Sequence, residues 1–164
     1  MNNDLWIAVD NGLSGALCVS SGQLIIAKST MFTKAKKKGR EIDVVAAWEW
    51  IREVVQPHQL QYLLAIVEEP RGAKSYKAAV SMSASFHALR AMFELQRIPF
   101  IRITPQKWQK QLLKAKSGDT KPAALKLAKT LWPDENWLAS KRCSVPHDGL
   151  VDAALIGYFA YKHL

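Results

Sequence analysis

The sequence has no uninterrupted apolar run of about 18 residues, the length a membrane-spanning helix needs, so no span is expected. Its start, MNNDLWIAVD, has no basic segment ahead of a long apolar core. It reads as a strand entered directly, not as a secretory leader. Cysteine is scarce. Cys18 and Cys143 form neither a metal-ligand spacing nor a disulfide framework, which fits a reducing, intracellular setting and ordinary packing for both. There is no internal repeat, no low-complexity tract and no interdomain linker. Length then favours one domain over residues 1–164. No Ser or Cys nucleophile constellation is present either.

What is present is apolar bulk and positive charge. Apolar residues make up 49% of the chain, enough for one substantial core. Twenty-three Lys and Arg against 14 Asp and Glu leave a formal charge of +9. The excess is concentrated. Arg102 to Arg142 holds ten Lys or Arg and three acids, a local +7 in a quarter of the chain. Such a patch attracts polyanions and speeds their encounter, so nucleic acid is the expected partner.

Leu5 to Val9 (LWIAV) reads as a buried strand. Gly15 to Val19 and Leu24 to Ala27 read as two more, joined by a tight turn at Ser21-Gly22, which makes an antiparallel meander of three strands. Lys34 to Arg40 (KAKKKGR) reads as a basic loop, either solvated or contacting phosphates. Asp43 to Val55 has the apolar spacing of one helical face, with Asp43 as N-cap. Tyr62 to Val67 is a strand covered on both faces. A helix over Ser75 to Gln96 and a strand over Pro99 to Ile103 follow. Helices over Pro105 to Leu113, Lys121 to Leu131 and Asp148 to Tyr161 complete the chain. The pattern predicts an α/β domain with a mixed sheet and helices on its faces.

Four acids interrupt this pattern. Asp10 follows the first strand directly, and Asn11-Gly12 turns the chain after it. Glu68 ends the strand YLLAIV, and Glu69 beside it reads as a solvated charge. Asp148 and Asp152 lie four residues apart, on one face of the last helix. Like charges at that spacing repel, and a carboxylate inside an apolar helix is costly without a compensating cation. Taken singly, Asp10 suits a turn and Asp148 a helix N-terminus. Together the four offer hard oxygen ligands of the kind Mg²⁺ or Mn²⁺ takes. Paired ions roughly 3.5–4 Å apart activate water against a phosphodiester. His147, next to Asp148, is a further candidate ligand or proton shuttle.

These residues carry a resemblance. Val9-Asp10-Asn11-Gly12-Leu13-Ser14-Gly15-Ala16-Leu17 resembles the first motif of the RuvC-like Holliday junction resolvases, above all their bacteriophage and organellar branches. Ala65-Ile66-Val67-Glu68-Glu69-Pro70 resembles the second motif. Thr104 to Lys110 and Lys121 to Pro133 resemble the basic helical region, and His147 to Leu155 the closing acidic helix. The similarity runs through nearly the whole chain in the right order. It implies an RNase H-like fold: a mixed five-stranded sheet, three antiparallel strands followed by β-α-β, with helices on both faces. It also implies a homodimer that uses Mg²⁺, or Mn²⁺ in its place, to resolve four-way DNA junctions by paired symmetric nicks. Carried over by position, Asp10, Glu68, Asp148 and Asp152 would hold the metal, and Lys121 would be an active-site lysine. Lys107, Lys110, Lys116 and Lys121 would contact DNA. The bacterial members carry an aromatic wedge after the second motif, and Tyr76 is the candidate here. Their last two acids lie three residues apart, against four in this chain, and either spacing keeps one helical face.

Rival readings follow from the same motifs. Asp-x-Gly-x-Ser-Gly after a strand also resembles the phosphate turn of actin-like ATPases and sugar kinases, but 164 residues leave no room for their second lobe, and no nucleotide cofactor is expected. A junction-binding protein without catalysis would not favour four acids facing DNA. A nuclease of the same fold acting on flaps, forks or RNA–DNA hybrids is the stronger alternative. The expected location is the cytoplasm of a bacterial or phage-infected cell, or an organelle after loss of a transit peptide.

Overall fold

The computed structural model describes residues 5–72, 75–113 and 120–164. Its main sheet is built from β1 (Leu5–Asp10), β2 (Ala16–Ser21), β3 (Leu24–Thr30), β6 (Leu63–Glu68) and β7 (Phe100–Ile103), in the order β3-β2-β1-β6-β7. β2 pairs antiparallel with β1 and β3, while β6 runs parallel to β1 and to β7. This is the expected five-stranded mixed sheet. Among the described residues five α-helices cover it: α1 (Val44–Val54), α2 (Tyr76–Leu95), α3 (Pro105–Leu112), α4 (Thr120–Leu131) and α5 (Asp148–His163).

The pleat of β1 divides the core in two. Leu5, Ile7 and Val9 face the layer of α1 and α2. Trp6 and Ala8 face α3, α4 and α5. β6 repeats the division, with Leu63, Ala65 and Val67 on the first face and Leu64 and Ile66 on the second. Side chains alternate along a strand. The next residue of each strand, Asp10 and Glu68, therefore falls on the α5 face. α5 crosses β1 and β2. It lies close because small residues line the contact: a Cβ on Gly157 would stand 2.9 Å from Ser20 Oγ and 3.4 Å from Ala8 Cβ.

Two local readings are corrected. Lys34 to Arg40 is not a loop but the body of a two-stranded hairpin, β4 (Thr33–Lys36) and β5 (Gly39–Ile42), turning at Lys37-Lys38. Of its eight strand residues only Ile42 is buried, so the apolar alternation that marks a strand is missing from its sequence. The β2–β3 turn is Gly22-Gln23, one residue later than expected, with Ser21 paired to Leu24 and Gly22 at φ +57°. Helix starts follow the capping chemistry. Asp43 accepts from Ala46 N, Ser75 from Ala78 N and Thr104 from Lys107 N. The polar stretch before α5 is strapped to β3 by a Lys28–Glu135 ion pair and to the β2–β3 turn by Trp132 Nε1, which donates to Gln23 O at 2.7 Å.

Candidate active site

Val9 is registered with Val67 across the parallel β1–β6 pair, so Asp10 and Glu68 emerge side by side at the carboxyl end of the sheet. Both belong to the face that α5 covers. The first turn of α5 presses on Asp10: a Cβ on Gly149 would lie 2.9 Å from Asp10 Oδ2 and from Ser14 O. A Cβ on Gly15 would run into the Asp10 carbonyl. Only glycine fits at either place. Asp148 and Asp152 flank Gly149 on α5, and Asp152 stands one turn inside the helix among buried neighbours Val151, Ala153 and Leu155.

The electrostatics follow from that burial. Burial, reinforced by Glu68, Asp152 and Asp148 and opposed by Lys121, raises the Asp10 carboxyl well above the usual carboxylate range. Burial also raises Glu68, against a hydrogen bond from Trp108. Asp152 is pushed up to about 7, first by burial and then by Glu68 and Asp148, with Lys121 opposing. Three such carboxylates cannot all ionise cheaply without added positive charge. The donor set is hard oxygen throughout, which suits Mg²⁺ or Mn²⁺ and not a thiophilic ion. Among the described residues no three His, Cys, Asp or Glu side chains are gathered at metal-ligand distances. The centre is therefore read from burial and mutual charge, not from ready coordination.

Asp148 differs from the other three. Its side chain is 53% exposed and forms an ion pair with Lys121, itself 72% exposed, at the rim. The hydrogen bond and charge of Asp148 raise the Lys121 ammonium above its ordinary value, against a small cost of burial. Between α4 and α5 the same residues open onto a cleft of about 280 Å³, lined also by Leu125, Val145, Pro146 and Val151. Glu69, expected as a solvated charge, is instead only 23% exposed and pairs with Arg71 at 3.3 Å and Arg102 at 3.6 Å. His147 is the N-cap of α5, its Nδ1 accepting from Leu150 N at 3.3 Å.

Lys107 and Lys110 are exposed on α3. Tyr76 opens α2 and is 86% exposed. Lys116 lies outside the described residues. Sequence reasoning missed Trp108. It is fully buried on α3, and its Nε1 donates to Glu68 Oε2 at 2.7 Å. An indole N–H has no other way to be satisfied there, and the bond fixes one oxygen of Glu68. The signal was a tryptophan between two surface lysines, a residue that needs both a core and an acceptor. Asn11 was also missed. It is buried, and its Nδ2 donates to Met82 O at 3.1 Å, tying the turn after Asp10 to α2.

No family model matches the sequence, and no curated protein matches it. Solved structures do. The RuvC protein of Thermus thermophilus in complex with Holliday junction substrate aligns with 96% of this chain and 93% of its own, at 15% identity and a TM-score of 0.61. A second structure of Thermus thermophilus RuvC covers the same shares at 16% identity and a TM-score of 0.56. The yeast mitochondrial Holliday junction resolvase aligns over 98% of this chain and 79% of its own, at 17% identity and a TM-score of 0.61. This likeness establishes the fold, which is RNase H-like.

Proposed function

We propose that this chain is a divalent-metal-dependent endonuclease that cuts four-way DNA junctions, working as a homodimer that places one nick on each side of the crossover. The observation that carries the reading is the set of mutually charged, largely buried carboxylates at the carboxyl ends of β1 and β6 and on the first turns of α5. A core has no use for that charge, and a hard cation facing a phosphate does. The fold is shared with a RuvC protein seen in complex with Holliday junction substrate and with a mitochondrial Holliday junction resolvase, and the chain carries a charge of +9 to hold a polyanion.

Asp10, Glu68 and Asp152 would hold the metal, with Asp148 completing the set from the rim. Bound there, Mg²⁺ or Mn²⁺ supplies Lewis-acid chemistry to a phosphodiester and its attacking water. The chain supplies the rest. Gly149 leaves room for the Asp10 carboxylate beside α5, and Gly15 for the Asp10 backbone carbonyl. Trp108 holds Glu68 in one rotamer. Lys121, beside Asp148, offers an exposed ammonium to the negative charge that builds on the phosphate. Lys107 and Lys110 lie on the same helix as Trp108, so the residue that orients Glu68 and two DNA-facing cations move as one body.

The test is cleavage of labelled four-way junctions with Mg²⁺ or Mn²⁺, beside linear duplex, flap and RNA–DNA hybrid. Symmetric paired nicks in the junction are expected. Asp10→Asn should keep junction binding and lose cleavage. Binding without cutting by the wild type would overturn the nuclease reading, and preferential cutting of another substrate would overturn the junction.

A further inference from the structure

A groove of about 800 Å³ between the β4–β5 hairpin and α2 has no part in the site above. Lys36, Lys38 and Arg40 line it from the hairpin and Lys77 from α2, with Glu41 the one acid in its wall. Leu13 also lines it. Leu13 belongs to the turn after Asp10, which Asn11 ties to α2. The groove therefore reaches the turn that follows Asp10, on the face of the sheet opposite α5. We infer that this groove is a second DNA wall, seating the phosphates of a duplex arm that extends from the cleavage site. The inference rests on the nuclease reading and adds to it where the DNA goes.

Three observations carry it. The first is charge. Thr33 to Ile42 holds five Lys or Arg and one acid. Glu41 pairs at 3.9 Å with both Lys34 and Lys36 in exposed contacts, and one acid leaves most of that charge unbalanced. The second is economy of structure. A two-stranded hairpin is marginal on its own, and this one buries almost nothing, so the core does not account for it. The third is placement. Lys107, Lys110 and Lys121 lie on the α5 side of the sheet, so the hairpin lysines put a second basic wall on the other side of the acids. From Lys77 to Ala88 the groove follows α2 for about 17 Å at 1.5 Å per residue, the length of about five base pairs. A second copy of the chain is the poorer occupant, because a two-fold contact sets a patch against itself and would bring these cations together.

The test uses fluorescence anisotropy in EDTA, with a labelled four-way junction and a linear duplex, across a range of salt. The variant is K36Q/K38Q/R40Q/K77Q in the full chain, checked by thermal melting. These side chains are exposed, so the fold is expected to survive. Each released counterion contributes about 0.9 to the log–log salt slope. The slope should therefore fall by about three to four, and affinity for both DNAs should drop about ten-fold or more at moderate salt. Single-turnover cleavage at saturating protein should be unchanged, since none of the four residues belongs to the acidic centre. An unchanged slope would overturn the inference while leaving the nuclease reading intact. A changed oligomeric state with an unchanged slope would reassign the groove to contact between copies. A wild type that binds no DNA would remove both readings.

Discussion

Asp152→Asn should make the metal-free protein more stable at pH 8 and do so far less at pH 4. The folded protein holds the Asp152 carboxyl at about 7, against an ordinary value of 3.8. At pH 4 both states of the chain carry much of the proton, and the difference is small. Between 3.8 and about 7 the unfolded chain has released its proton while the folded chain keeps it, so stability falls as pH rises. Above the folded value the loss is complete, at about 1.36 kcal/mol per pH unit of displacement, or about 4 kcal/mol in all. That is a ceiling, because Glu68 and Asp148 share the repulsion. Asparagine cannot ionise and escapes the loss. For a domain of this size about 4 kcal/mol corresponds to roughly 8–16 °C in Tm. The assay is urea unfolding in EDTA, followed by tryptophan fluorescence at pH 4 and pH 8, for wild type and variant. Any packing cost of the substitution appears at both pH values and cancels in the comparison. Mg²⁺ at pH 8 should then stabilise the wild type more than Asp152→Asn, since a ligand stabilises the state that binds it. Parallel pH curves for the two proteins would refute the argument, because they would mean that the carboxylate is not held charged against its surroundings.

Trp108→Phe removes the N–H on Glu68 and also shrinks a fully buried ring, so it should cost about 1–3 kcal/mol of stability. At a temperature where the variant stays folded, it should weaken Mn²⁺ binding by calorimetry, and cleavage with it, by about 10- to 100-fold. If metal affinity holds, the bond serves packing alone. Gly149→Ala would ordinarily strengthen a helix by about 1 kcal/mol. Here the methyl group meets Asp10 Oδ2 and Ser14 O at 2.9 Å, so destabilisation of about 1–3 kcal/mol in denaturant and loss of cleavage are expected.

The sheet was legible because its central strands are buried on both sides. LWIAV and LLAIV are almost wholly apolar, and such runs admit few other readings. Asp10, Glu68 and Asp152 were legible for the complementary reason, as charges where the pattern demanded hydrophobes. The hairpin was not legible, because lysine alternating with alanine and glycine gives no inward face to detect. Trp108 was not, because its partner is forty residues away and only the β6–β7 pairing and the entry of α3 bring the two together. Gly149 read as an ordinary residue of a helix start. Its role depends on how closely two segments approach, which no local pattern records. The different standing of Asp148, exposed and paired with Lys121, likewise needed the placement of α4 beside α5.

The near-absence of burial in β4 and β5 has a consequence for how such a protein can change over generations. The acids sit on elements that also make the core, so a substitution there risks the whole fold. The hairpin from Thr33 to Glu41 has no buried residue. Its lysines can be exchanged, lengthened or lost with almost no effect on folding. If the proposed roles hold, the surface that would grip DNA can drift freely, while the acids that would cut it stay locked to the centre of the sheet.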